Sequence, residues 1–108
     1  MKRQWVVYML LCSDNSYYTG ITTDIGRRMK EHNSKTRCSK YVRSRKPFTL
    51  AYVGGCGSSR SWAQKIERNL KKSSHKDKEE LSKFYFFRKD ISQNKTKQLD
   101  SYKKIYGV

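Results

Sequence analysis

The sequence predicts a small α/β domain, a three-stranded antiparallel sheet flanked by helices in the order β-β-α-β-α-α. Three observations lead there. A β-branched and aromatic run, Trp5 to Cys12, is followed by a dense turn cluster and a second short run of the same kind. Two later segments repeat apolar residues every four positions, Ile25/Met29 and Trp62/Ile66/Leu70. A chain of 108 residues that is 35% hydrophobic has room for one thin core, with fourteen aromatics (eight Tyr, four Phe, two Trp) supplying much of its buried area.

Each element has its own justification. Residues 5–12 read as a strand covered on both faces. Ser13-Asp14-Asn15-Ser16 is the turn, and Tyr17-Tyr18-Thr19 completes a hairpin that stops at Gly20. Thr22-Thr23-Asp24 offers helix caps, and the helix to about His32 buries Ile25 and Met29, with Arg28 and His32 sharing the adjacent flank at i, i+4. Residues 35–46 form a basic loop without an acid. Pro47 fixes its exit, and Phe48 to Val53 is a third strand that Gly54-Gly55-Cys56-Gly57 breaks. Ser61 and Gln64 make a capping box for a helix over 61–73, whose inward ridge is Trp62, Ile66 and Leu70, with Glu67 at its margin. A further helix begins near Asp77, with Leu81, Phe84 and Tyr85 inward. Residues 1–87 are read as the domain, and 88–108 as a mobile, basic and polar tail with room for a short helix.

Charge narrows the function. Twenty-five Lys and Arg against nine Asp and Glu give +16. The excess is even: eleven basic residues face three acidic ones over 1–54, and fourteen face six over 55–108. A domain basic throughout points to a polyanionic partner, above all nucleic acid. The longest apolar run is too short to cross a bilayer, for which about 20 residues are needed, and no secretory leader is read, so a membrane or conventionally secreted protein is not expected. Cys12, Cys38 and Cys56 lack zinc spacing and are read as free thiols of a reducing, cytoplasmic compartment.

The order of elements carries a constellation: Val6-Val7-Tyr8 on the first strand, Tyr18-Thr19-Gly20 on the second, Arg28 and His32 on one helix flank, and Glu67 on a later helix. This resembles the GIY-YIG endonuclease superfamily, in particular its small stand-alone members. Val6-Val7-Tyr8 stands where that family has Gly-Ile-Tyr, and Tyr18-Thr19-Gly20 where it has Tyr-Ile-Gly. The resemblance implies that Arg28 is the family's arginine, His32 its frequent histidine and Glu67 its metal-binding glutamate. Lys40-Tyr41 through Arg43, Arg45 and Pro47, and Lys71 after the glutamate, look like the stand-alone subgroup. The implied activity is hydrolysis of phosphodiester bonds in DNA, with RNA as the other candidate, using one Mg²⁺ or Mn²⁺. A monomer or weak homodimer is expected, with no obligate protein partner evident in the sequence.

The residue types suit that chemistry. Arg28 offers a fork of donors to non-bridging phosphate oxygens and keeps its proton. Glu67 is the only acid between Glu31 and Asp77, a seat for a hard divalent ion. So few carboxylates favour a single-metal scheme. Tyr8 and Tyr18 can orient the water or take its proton, and Gly20 leaves backbone bare for a phosphate. Lys40, Arg43, Arg45, Lys46 and Lys71 are read as phosphate contacts. Each residue also has an ordinary role: core aromatic for the tyrosines, helix-dipole partner for His32, i, i+4 partner of Lys71 for Glu67. The alternative is an inactive basic module that binds DNA or structured RNA on the same fold.

Overall fold

The computed structural model describes residues 3–87 and 100–107. Strand β1 (Trp5–Cys12) is the centre of a three-stranded sheet, with β2 (Tyr17–Thr22) and β3 (Phe48–Gly57) antiparallel on either side. Val7, Tyr8, Met9 and Leu10 are all buried, because helices cover both faces of the central strand. Alternation divides the core in two. Val7 and Met9 join Ala63, Ile66 and Leu70 of helix α3 (Arg60–Lys72), Leu81 of α4 (His75–Phe87) and Ile105 of α5 (Asp100–Tyr106). Tyr8 and Leu10 pack on the opposite side with Ile25 and Met29 of α1 (Ile25–Asn33), Val42 of α2 (Lys40–Arg43) and Cys38. The expected three-stranded α/β architecture is present.

A register irregularity between Met9 and Leu10 skips Ala51, so Ala51 and Tyr52 both join the three-helix side while Leu50 and Val53 join the other. In the hairpin turn Asn15 takes a left-handed φ of 66°, and the Asp14 carboxylate accepts from the Ser16 N–H at 3.1 Å. Asp24 caps α1 as anticipated, accepting from the Arg27 N–H.

Several boundaries differ from expectation. Strand β2 continues past Gly20 to Thr22, since Gly20 lies opposite Tyr8 and gives its ring space rather than ending the strand. The third strand runs through its glycines to Gly57, and Gly54 and Gly55 pair with Val7 and Val6. Helix α3 is capped by Ser59, not Ser61: the Ser59 hydroxyl accepts from the Trp62 N–H, and the Ser61 hydroxyl bonds to it at 3.0 Å. Its buried ridge is accordingly Ala63, Ile66 and Leu70, and Trp62 is 40% exposed. Helix α4 begins at His75, two residues ahead of Asp77, because the Ser74 hydroxyl accepts from the Asp77 N–H and caps it. The basic loop holds the short helix α2, started by the Ser39 side chain and anchored by buried Val42.

The short helix anticipated near the C-terminus is α5. Its Ile105 is fully buried, Asn69 Nδ2 donates to the Ile105 carbonyl at 3.0 Å, and the Tyr106 hydroxyl donates to the Gly55 carbonyl at 3.1 Å. The mobile character expected of 88–99 lies outside the described residues. All three cysteines are free and buried. Among the described residues no helix is long and apolar enough to cross a membrane.

Candidate active site

The two strands and α1 assemble four of the residues singled out in the sequence. Tyr8 lies opposite Gly20, and Tyr18 opposite Leu10, so the two tyrosines share a sheet face two residues apart along the hairpin. Their ring centroids are 6.3 Å apart. A Cβ on Gly20 would stand 2.6 Å from the Tyr8 hydroxyl. The bare backbone at Gly20, expected to admit a phosphate, is thus filled by the phenol of its neighbour.

Helix α1 supplies the other half. His32 is fully buried, and its Nε2 lies 2.8 Å from the Tyr8 hydroxyl. Tyr18 and Phe48 meet the imidazole edge-on at 5.3 and 6.1 Å. Burial, then the charges of Arg28 and Lys46, push the His32 pKa down to about 4 against the pull of Glu31. The ring is therefore neutral near pH 7 and shares one hydrogen with the Tyr8 hydroxyl through Nε2. Its buried Nδ1 has no hydrogen-bond partner among the described residues. Such an orphan costs on the order of 1–3 kcal/mol.

Arg28 stands over this pair. Its Nη1 donates to Glu31 Oε1 at 2.9 Å and to the Arg37 carbonyl at 3.2 Å. Burial opposes its charge, but Glu31 and the hydroxyls of Tyr8 and Tyr18 outweigh that and hold the guanidinium protonated. Burial and, second, Tyr18 drive the Tyr8 phenol far above the usual tyrosine range, against Arg28. Glu31 was not among the residues singled out. It meets Arg27 and Arg37 as well, at 3.9 and 3.8 Å, and its i, i+3 spacing from Arg28 is the signal that could have found it.

Glu67 comes from the other helical layer. It is 22% exposed, and Lys71 reaches its carboxylate at 3.6 Å. Lys71 links the layers: it lines one cavity with Glu67 and another with Tyr18 and Tyr41. Among the described residues no three of His, Cys, Asp and Glu cluster as a metal cage. The loop cations divide. Arg45 covers the Tyr41 ring at 3.8 Å, and its Nε donates to Asp14 and its Nη1 to the Tyr41 carbonyl. Arg43 donates to the Cys38 carbonyl at 3.2 Å. Both fasten the loop; Arg43 is nonetheless exposed, as are Lys40 and Lys46.

Comparison with known proteins follows the same lines. The family described as the GIY-YIG catalytic domain matches residues 4–80. A UPF0213 protein of Desulfotalea psychrophila is 46% identical over 79 residues, which cover 73% of this chain and 71% of the relative. A UPF0213 protein of Streptococcus pneumoniae is 37% identical over 109 residues, with coverage of 100% and 99%. A solution NMR structure of a protein from E. faecalis superposes with a TM-score of 0.52 at 37% identity, over 81% of this chain and 93% of that one.

Proposed function

The chain belongs to the GIY-YIG catalytic domain family, a nuclease-type family, and from that premise we propose that it is an endonuclease hydrolysing phosphodiester bonds in DNA with one divalent ion, Mg²⁺ or Mn²⁺. The observation that carries this reading is the buried hydrogen bond between the Tyr8 hydroxyl and His32 Nε2 beside Arg28. A core needs neither the orphan imidazole nitrogen nor a guanidinium over two phenols, and both are costly to bury.

In the tautomer with the hydrogen on Nδ1, Tyr8 donates to His32 Nε2, and its oxygen, beside Arg28, can accept from a water. As that water attacks phosphorus, its proton passes to the Tyr8 oxygen and the Tyr8 proton passes to His32 Nε2. The bond from phosphorus to the leaving oxygen breaks, and that oxygen takes a proton from solvent. Imidazole at a pKa of about 4 is a weak acceptor, chiefly because it is buried; the negative charge of a bound phosphodiester offsets Arg28, the second cause, and so recovers part of its basicity. Arg28 in turn offers its guanidinium to the non-bridging oxygens, where charge grows in the transition state.

Glu67 fits the ion. It is partly exposed and held only by Lys71 at 3.6 Å, a pair readily exchanged for a metal contact. Mg²⁺ commonly takes one or two carboxylates and fills its remaining positions with water and substrate phosphate, so one glutamate is a sufficient protein donor. When bound, such an ion supplies charge neutralisation and a polarised water. The test is incubation with single-stranded, duplex and branched DNA, with and without Mg²⁺. Metal-dependent cleavage of at least one substrate is expected, and Glu67→Gln is expected to lose it while retaining metal-free DNA affinity. No cleavage of any of the three, or full activity in Glu67→Gln, overturns the reading.

A further inference from the structure

Beyond the hairpin edge, Tyr17, Tyr18, Thr19 and Tyr41 wall a cavity of about 300 Å³ together with Lys71 of α3 and Lys78 of α4. Thr19 is buried, and among the described residues its Oγ1 has no hydrogen-bond partner. In the middle of a strand valine fits the same volume without that penalty. The two lysines are similarly underemployed. Among the described residues the Lys71 ammonium has only the 3.6 Å pair with Glu67, and the Lys78 ammonium donates to the Lys71 carbonyl at 3.5 Å. Among the described residues no acid lines the cavity. Two ammonium groups and a buried hydroxyl around one space match an anion with several acceptor oxygens.

Position identifies the anion. The cavity shares Tyr18 with the Tyr8–His32–Arg28 cluster, and Lys71 touches Glu67 on its far side. Arg28 meets the Tyr18 hydroxyl, and Tyr18 also walls the cavity, so a strand whose scissile phosphate lies at Arg28 runs on past this wall. We propose that Thr19, Lys71 and Lys78 form a phosphate subsite that grips the nucleic-acid backbone beside the bond being cut. That ligand rests on the nuclease reading, because free inorganic phosphate shares the chemistry. Partial desolvation of Lys78, which lowers its pKa, agrees with an ammonium prepared for an anion rather than for water.

The experiment is metal-free binding of a short labelled DNA single strand across a salt series, with inorganic phosphate as a second ligand. Lys78→Gln is expected to weaken DNA binding about three- to tenfold and to flatten the plot of log K against log salt by about 0.7, the share of one phosphate on a single strand. Lys83→Gln makes the same charge change on α4, at a lysine paired with Glu79, and is expected to leave the slope in place. Thr19→Val is expected to weaken binding several-fold at unchanged slope while Tm holds or rises. Equal slopes for Lys78→Gln and Lys83→Gln, or wild-type DNA affinity in Thr19→Val, overturn the subsite. Lost phosphate binding with intact DNA affinity in Lys78→Gln assigns it to a free anion and overturns the backbone role. None of these measurements needs turnover. Wild-type protein that binds in this way yet never cuts DNA overturns the nuclease reading alone.

Discussion

Adjacent in sequence, Arg27 and Arg28 leave α1 about 100° apart. The Arg27 side chain is 50% exposed and makes a 3.9 Å contact with Glu31, whereas Arg28 is 23% exposed and locked at 2.9 Å. Arg28→Ala is expected to lower the cleavage rate by ~10²-fold or more, the scale of removing one preorganised donor. Arg27→Ala is expected mostly to weaken binding, so single-turnover rates at saturating DNA separate the two, and equal losses would argue for a diffuse basic face. Tyr8→Phe is expected to keep the fold and lose the rate, since only the hydroxyl facing His32 is removed. His32 also imposes a pH dependence on stability. It protonates near 6.5 when unfolded and near 4 when folded, so the unfolded chain takes up the extra proton between those values. Stability is therefore full above pH 6.5 and falls as pH drops toward 4, by at most roughly 3 kcal/mol. Denaturant titrations of wild type and His32→Gln check this, the variant losing that part of the slope. The four residues of the cluster were legible through the family resemblance of the two strand triplets and the Arg28–His32 pair; spacing by itself gave only the shared flank of Arg28 and His32. The burial of His32 was not legible: nothing along α1 shows that the hairpin tyrosines close over it.

Among the elements, those set by backbone periodicity were read well and those set by local hydrogen bonds less so. The central strand, the hairpin and α1 follow from apolar spacing and an Asp cap. Ser59 and Ser61 offer the same side-chain chemistry, and only the docking of Ala63, Ile66 and Leu70 on the sheet selects Ser59 as the cap. Ser59→Ala is expected to cost ~1 kcal/mol and Ser61→Ala much less, as thermal melts would show. Gly20 and Gly54 read as strand breakers because sequence reasoning sees no partner. In the fold Tyr8 occupies the space above one, and Tyr52 and Tyr106 the space above the other. Gly20→Ala is expected to displace the Tyr8 ring and to reduce cleavage and stability together. Helix α5 was the least legible, since Ile105 is its one fully buried apolar residue and lies in a lysine-rich stretch. Ile105→Ala is expected to destabilise by about 2–5 kcal/mol, a core-cavity penalty, measurable by denaturant unfolding.

At the scale of the whole molecule, +16 spread over both halves of the chain makes the protein a diffuse polycation with a few fixed grips. Binding to duplex DNA is expected to be nearly independent of sequence, with log K falling by about 0.9 per decade of salt for every phosphate neutralised. Comparing two unrelated duplexes over a salt series tests it, and a strong preference between them would require a base-reading element. Charge was fully legible in advance, but its division of labour was not, because Arg43 and Arg45 spend their guanidinium groups on the loop backbone and on Asp14. The two-sided core has a practical corollary. Cys56 lies in the layer under α3, α4 and α5, Cys38 in the layer under α1 and α2, and neither forms a disulfide. Burial pushes the Cys56 thiol up to about 11, so a water-borne alkylating reagent reacts with it only when the layer above it opens and admits water. Each side of the sheet thus contains its own native chemical clock. Following the Cys56 and Cys38 peptides by mass spectrometry over time gives an opening rate for the three-helix side and another for the side under α1 and α2, in the unmodified protein.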